Sequence, residues 1–383
     1  AGIVGGLGLL WRGLGAMRRA DRIADTAGSR ISSIAVGEVR LTGVVEPASE
    51  IVTVTPDIDG AVRSVFVKAG DRARASIATG ETIDGVAIYR HDLAEAGPAG
   101  GYLREYAGAL YNQFRLAMKV RRERGFDVIH ACNPPDLIFI VAAVFKLLFG
   151  VRFVFDHHDL CPELYEAKFG RRGLVHKALL LAERATFALA DVSIATNESY
   201  REIAVGRGGM NPERVFVVRS GPRLEVIAPR PPREELKQGA IRLVGYVGVI
   251  GRQEGLDLLV GAVSHLVNHI GRRDAHFAII GDGPELPAIR RLAAEKGLQE
   301  FFTFHGRVSD EKFLDVLSTA DVCVNADRWC AMNDKSTMNK VLEYMALGKP
   351  IVQFDLVEGR RSAGGAALYA RPDNVADLAL KID

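Results

Sequence analysis

His276-Phe-Ala-Ile-Ile-Gly-Asp-Gly-Pro-Glu285 reads as an apolar strand running straight into a glycine turn, and a helical pattern from Glu285 to Lys296 follows at once. Strand, glycine turn and helix in that order are the opening of a βαβ unit. The alternation extends in both directions. Before it stand a strand at Leu243 to Val247 and a helix from Gly255 to Ile270, whose Leu256, Leu259, Val263, Leu266 and Ile270 fall on one face. After it come strand Phe302 to Phe304, helix Asp310 to Ser318, strand Val322 to Asn325 and helix Thr337 to Leu347. Strands at Pro350 to Phe354 and Ala367 to Tyr369 complete a Rossmann-like half.

A second half of the same kind precedes it. Phe126 to Ala131 reads as a strand, followed by a helix to Phe149, a strand from Val151 to Phe155, a long helix from Gly173 to Ala190, and strands at Val192 to Thr196 and Arg214 to Arg219. Pro222, Pro229, Pro231 and Pro232 break both periodicities between the halves. The expected organisation is therefore α/β. Residues 81–220 and 241–383 form two facing Rossmann-like domains with parallel sheets, joined by a linker at 221–240. Residues 1–80 alternate differently, as in Ala61-Val-Arg-Ser-Val-Phe-Val-Lys68, and read as a small antiparallel β-rich segment. Ligands of open parallel sheets sit beyond the carboxyl ends of the strands, so the loops there should carry the chemistry.

Composition narrows the function. Lys and Arg number 49 and Asp and Glu 47, a near balance that gives no wide basic field for nucleic acid. With 48% hydrophobic and 25% charged residues the chain is of the globular kind. Cys132, Cys161, Cys323 and Cys330 lack the CxxC spacing of zinc or redox sites, which suits free thiols in the cytoplasm. The run from Leu137 to Gly150 is shorter than the ~20 residues of a bilayer span. With the basic Arg121-Arg-Glu-Arg124 nearby, it predicts a peripheral contact at the inner face of a membrane.

Three stretches carry candidate chemistry. The glycines of Gly281-Asp-Gly-Pro-Glu285, Gly283 among them, allow close backbone approach to an anion at a helix N-terminus, although a tight turn alone needs them too. In Asn333-Asp-Lys-Ser-Thr-Met-Asn-Lys-Val-Leu-Glu-Tyr-Met-Ala-Leu-Gly-Lys-Pro350, Ser336 or Thr337 is placed to cap a helix. Lys335 and Lys340 would then face a diphosphate at its open end, and Glu343, further along, would accept two hydrogen bonds from vicinal hydroxyls such as those of a ribose. A solvated glutamate on an amphipathic helix is the plainer alternative. Asp156-His-His-Asp-Leu-Cys-Pro-Glu163 ends a strand. Its adjacent histidines point apart and chelate poorly together, whereas one of them oriented by an aspartate suits substrate positioning and proton transfer.

With these stretches in place, residues 82–383 resemble the retaining glycosyltransferases of GT-B fold known as family 4. Phe126-Asp-Val-Ile-His-Ala-Cys-Asn-Pro-Pro-Asp136, the Asp156 to Glu163 stretch, Gly245-Tyr-Val-Gly248, Ile280-Gly-Asp-Gly-Pro284, Phe304-His-Gly-Arg-Val308 and Leu342-Glu-Tyr-Met-Ala-Leu-Gly-Lys-Pro350 look like family segments in family order. The resemblance implies transfer of a sugar, with retained configuration, from a nucleotide sugar to a glycan or lipid-linked acceptor, with no metal. It implies His158 as the catalytic histidine, with Asn133 and Asp159 on the acceptor side. Glu343, Lys340, Ser336, Thr337, Arg252, Arg307 and Gly283 would serve the donor, Arg307 beside the base.

The chain departs from the family pattern at three places. Lys335 stands where the first of two acidic residues belongs, and Val249 and Glu254 stand where an Arg and a Lys would meet the diphosphate, leaving Arg252 and Lys340 as substitutes. Residues 1–80 lack the family's opening strand, glycine loop and helix; part of this segment is similar to the lipoyl-like region of membrane-fusion adaptors. The expectation is a fused or truncated chain. A non-catalytic remnant that binds nucleotide sugars and a nucleotide-sugar epimerase remain as alternatives.

Overall fold

The computed structural model describes residues 65–69, 81–83, 86–91, 101–134, 136–224 and 226–383. The described residues form two compact units, one running to Val218 and the other from Arg219. Most of the expected segment 1–80 lies outside the described residues.

In the first unit, β1 (Val65–Ala69) pairs parallel with β3 (Val86–His91), and β2 (Glu81–Ile83) pairs antiparallel with β3. This corrects the antiparallel reading for Val65 to Lys68. The stretch between Ala69 and Val86 is long enough for the crossover that parallel pairing requires, and strand periodicity carries no information about direction. Helix α1 (Gly101–Glu123), which local pattern had not marked, follows. Then come β4 (Val128–Cys132), α2 (Phe139–Phe149), β5 (Arg152–His157), α3 (Cys161–Phe169), α4 (Leu174–Leu189), β6 (Val192–Ala195), α5 (Glu198–Gly206) and β7 (Val215–Val217). The four strands form a parallel sheet in the order β4-β5-β6-β7. Phe153, Phe155, Phe187, Ala195, Tyr200 and Ile203 fill its core.

Behind that core Arg207 binds two buried carboxylates. Its Nε lies 2.7 Å from Glu183, and its other nitrogens reach both oxygens of Glu163. Glu163 and Glu183 sit on α3 and α4, so one cation ties two helices to the end of α5.

In the second unit a six-stranded parallel sheet runs β10-β9-β8-β11-β12-β13. Its elements are β8 (Arg242–Val247), α6 (Leu256–His265), β9 (Ala275–Ile280), α7 (Leu286–Glu295), β10 (Phe302–Gly306), α8 (Asp310–Thr319), β11 (Val322–Asn325), α9 (Asn339–Ala346), β12 (Ile351–Phe354), α10 (Val357–Ala363), β13 (Ala367–Ala370) and α11 (Val375–Ile382). Strand order reverses between β8 and β11, the point at which doubly wound sheets take ligands. Both faces of the sheet are covered, as all-parallel pairing requires. The proline-rich segment lies on this unit. Ile227 and Leu236 are buried against Phe313 and Leu317, and Asp315 binds Arg230 and Arg233.

Candidate active site

β5 ends at Asp156-His157, and strand alternation sends these two side chains to opposite faces. The His157 ring is fully buried against Phe155, Phe187 and Tyr200. Burial, and then the charge of Arg207, lowers its pKa to about 3, so it is a neutral core residue. His158 is half-buried, and its Nε2 lies 3.1 Å from Asp156 Oδ1. His130 Nε2, from β4, holds the other oxygen of Asp156 at 3.0 Å. Burial opposes charge on both partners, yet the hydrogen bonds from His130 and His158 hold the Asp156 carboxyl well below the usual carboxylate range. For the same reason the His158 pKa is raised: burial opposes its charged form, but the hydrogen bond and charge of Asp156 outweigh it. The result is a half-exposed imidazole with a fixed orientation and a favoured protonated form, able to give a hydrogen bond or a proton.

Asn133, expected on the acceptor side, is engaged within its own turn. It is buried, its Oδ1 accepts from the N–H groups of His158 (2.9 Å) and Asp159 (3.2 Å), and its Nδ2 donates to Asp159 O at 2.7 Å. With both ends of its amide engaged, Asn133 shapes the turn that aims His158. Asp159 is half-buried within that turn.

In the second unit, four loops at the carboxyl ends of β8, β9, β10 and β11 carry the remaining expected residues. The loops after β8 and β9 are packed backbone to backbone. Ile250 N donates to Asp282 O at 3.0 Å, and Glu285 N donates to Ile250 O at 3.0 Å. A Cβ on Gly281 (φ +135°) would lie 1.8 Å from Gly248 O, and one on Gly283 would lie 2.4 Å from Ile250 O. Loop-on-loop packing by itself therefore requires glycine at 283. Asn333, buried and unmarked in the sequence, joins the loops after β8 and β11 by donating to Gln253 O (3.0 Å) and Arg328 O (2.9 Å).

Helix α9 starts at Asn339, with Met338 at its N-cap and no side-chain cap. The expected capping role of Ser336 or Thr337 is thus corrected: Ser336 Oγ donates to Met332 O at 2.8 Å and Thr337 Oγ1 bonds Glu358 at 3.2 Å. The fully buried Glu358, which competes for Thr337, sits on α10, a helix that local sequence pattern does not mark. In the first turn of α9, Val341 N donates to Met338 O at 3.0 Å, and among the described residues the N–H groups of Asn339 and Lys340 have no hydrogen-bond partner, leaving them open to an anion. Lys340, in that first turn, binds Asp327 Oδ1 at 2.7 Å and lies 5.1 Å over the Tyr246 ring. One turn further, Glu343 is 6% exposed; among the described residues burial and the charge of Lys340 act on its carboxylate, and no hydrogen bond does. Burial, opposed by the charge of Lys340, pushes its pKa up to about 7. Arg252 and Arg307 are exposed, Arg252 in the loop after β8 and Arg307 beyond β10 at the edge of the sheet. Among the described residues no group of three or more His, Cys, Asp or Glu is arranged to hold a metal ion.

These two parallel-sheet units match known families. Residues 50–221 match the family described as glycosyl transferase 4-like domain, and residues 241–383 match glycosyl transferases group 1. The chain belongs to the GT-B glycosyltransferases of family 4. Among curated relatives, the alpha-D-kanosaminyltransferase of Streptomyces kanamyceticus is 29% identical over 114 residues, which is 30% of this chain and 28% of the relative. The 2-deoxystreptamine glucosyltransferase of the same organism is 27% identical over 139 residues, 36% of this chain and 34% of the relative. The matched part thus spans about a third of each relative's length. Two solved structures share the fold. Sucrose-phosphate synthase from Thermosynechococcus elongatus superposes with a TM-score of 0.63 at 18% identity, covering 83% of this chain and 78% of that one. Anabaena HepE, solved with UDP and glucose, gives 0.59 at 17%, covering 77% and 75%.

Proposed function

We propose that the chain transfers a sugar, with retention at the anomeric carbon, from a nucleoside diphosphate sugar to a glycan or lipid-linked acceptor. The observation that carries this reading is Glu343: a buried carboxylate with no hydrogen-bond partner among the described residues, on a helix whose N-terminus is uncapped. A carboxylate in that position accepts from two vicinal ribose hydroxyls, and the open N–H groups of α9 suit a diphosphate. HepE was solved with UDP, so uridine donors are the first to try. His158, aimed by Asp156, supplies a hydrogen bond to the reacting sugar or its leaving oxygen. The reading uses no metal; the helix N–H groups and nearby cations would stabilise the departing diphosphate.

The test is release and transfer of labelled sugar from a panel of UDP-, GDP- and ADP-sugars. Replacing His158 by Ala is expected to lower the transfer rate by ~10²–10⁴, the usual range for a positioned acid or base, while UDP affinity stays the same. Transfer undiminished in that variant would remove His158 from the mechanism.

A peripheral membrane contact belongs to the same proposal, favoured by α2. Ile140, Leu147, Leu148 and Phe149 are exposed on it, and Arg121 lies 5.2 Å over the Phe149 ring, with Arg122 and Arg124 following. Among the described residues no helix is long and apolar enough to cross a membrane. An apolar patch beside a basic run fits an anionic lipid surface. The double variant Leu147→Glu, Leu148→Glu should bind vesicles containing phosphatidylserine on the order of tenfold more weakly, because two leucines otherwise enter the lipid boundary. Equal sedimentation of both proteins with such vesicles would remove the contact.

A further inference from the structure

We infer that Glu254 and Asp327 occupy the anion subsite of the second unit, so that Glu254 acts as a specificity residue controlling whether a nucleoside diphosphate is accepted. The inference rests on the donor reading above. The loop after β8 offers a backbone N–H at Gly251, and Glu254 Oε2 already accepts from it at 3.0 Å. The Lys340 side chain packs beside this loop: its Cε would lie 3.5 Å from a Cβ on Gly248. Its ammonium is already bound by Asp327 at 2.7 Å. Asp327 is 2% exposed, and its second oxygen, also buried, has no hydrogen-bond partner among the described residues. Two of the groups that would meet phosphate oxygens therefore hold carboxylates of the chain itself.

The charges around Glu254 define what displaces it. Lys340 faces it from α9, Asp327 from the loop after β11 and the Tyr246 phenol from β8, while Arg252 on its own loop is exposed. Two carboxylates stand against one ammonium. A diphosphate adds further negative charge to a site already in excess, whereas an uncharged nucleoside does not. Burial raises the Glu254 carboxyl to about 7, the charges of Lys340 and Asp327 acting in opposite directions. Its protonation therefore removes one of the two negative charges within the physiological range. Protonation of Glu343, also raised to about 7, weakens ribose binding for nucleoside and diphosphate alike, so it is the ratio of diphosphate to nucleoside affinity that should rise as pH falls through that value.

The experiment titrates uridine diphosphate, and separately uridine, into the wild-type chain and the variants Glu254→Gln, Glu254→Lys and Asp327→Asn, at about pH 6 and about pH 8, on either side of the Glu254 transition. Guanosine and adenosine diphosphates are run alongside. At the higher pH, Glu254→Lys and Glu254→Gln are expected to bind diphosphate about tenfold or more tightly than wild type, with uridine affinity unchanged. Glu254→Gln should also flatten the pH dependence of the diphosphate-to-uridine affinity ratio, and it carries the test if Glu254→Lys does not fold. A diphosphate-to-uridine affinity ratio that is pH-independent and unmoved by both Glu254 variants, with binding lost in Glu343→Ala, overturns the inference and leaves the donor site standing. Failure of every variant to bind any of the three diphosphates, in proteins that melt cooperatively, overturns both.

Discussion

Replacing Arg207 by Ala is expected to destabilise the first unit by about 3–5 kcal/mol at neutral pH, the range seen when one partner of a buried ion network is removed. Glu163 and Glu183 are 5% and 8% exposed, so loss of the guanidinium strands two carboxylates in the interior. The pKa directions agree. Burial raises Glu183 even with Arg207 present, and Arg207 itself is raised because its bonds to Glu163 and Glu183 outweigh its own burial. Without Arg207 the two acids would bind protons on folding, so the deficit should shrink as pH falls toward 5, where those protons become available. Amide exchange in β5 and α4, followed at both pH values, reports on this unit alone. Protection equal to wild type at neutral pH would show that water replaces the guanidinium.

The second large effect is at the donor carboxylate. Glu343→Ala should weaken nucleoside diphosphate binding by ~10²-fold or more, since hydrogen bonds to a charged group contribute ~1.5–3 kcal/mol each and a ribose offers two. Stability should move the opposite way. Glu343 titrates near 7 in the folded chain against an ordinary 4.5. A group raised in this manner binds its proton more readily when folded, so stability falls as pH rises between those values and the full deficit persists above them. Glu343→Gln, which keeps the shape and removes the charge, should therefore melt higher than wild type at about pH 8 while binding nucleotide more weakly. A residue kept for folding would show both properties falling together, and calorimetric titration beside thermal melting separates the cases. An unchanged nucleotide affinity would place the ribose elsewhere.

Much of this architecture was legible before any coordinates. Leu256, Leu259, Val263 and Leu266 recur at helical spacing and are all buried, because a 3.6-residue period leaves a helix one apolar face to turn inward. The glycine turn after Ile280 was visible for a similar reason, since few residues tolerate its backbone. What was not legible is competition between distant groups. Ser336 and Thr337 have the chemistry of helix caps, yet Met332 O and Glu358 claim their hydroxyls. Lys340 has the chemistry of a phosphate ligand, yet Asp327 binds it. Asn133, expected on the acceptor side from family resemblance, is also a buried clamp of the turn that carries His158. His130 carries no signal at all, because its nearness to Asp156 follows from the register that sets Cys132 opposite Asp156.

By itself, then, the sequence determined the alternation of strand and helix, the two parallel sheets and the helix that carries Glu343, since these depend on local period and backbone tolerance. Only the tertiary structure decided which of two adjacent histidines is core and which is presented, and which carboxylates take the cations and N–H groups of the donor loops. Those outcomes depend on distances of a few ångströms between segments far apart in the chain, where hydrogen-bond and Coulomb energies change most steeply.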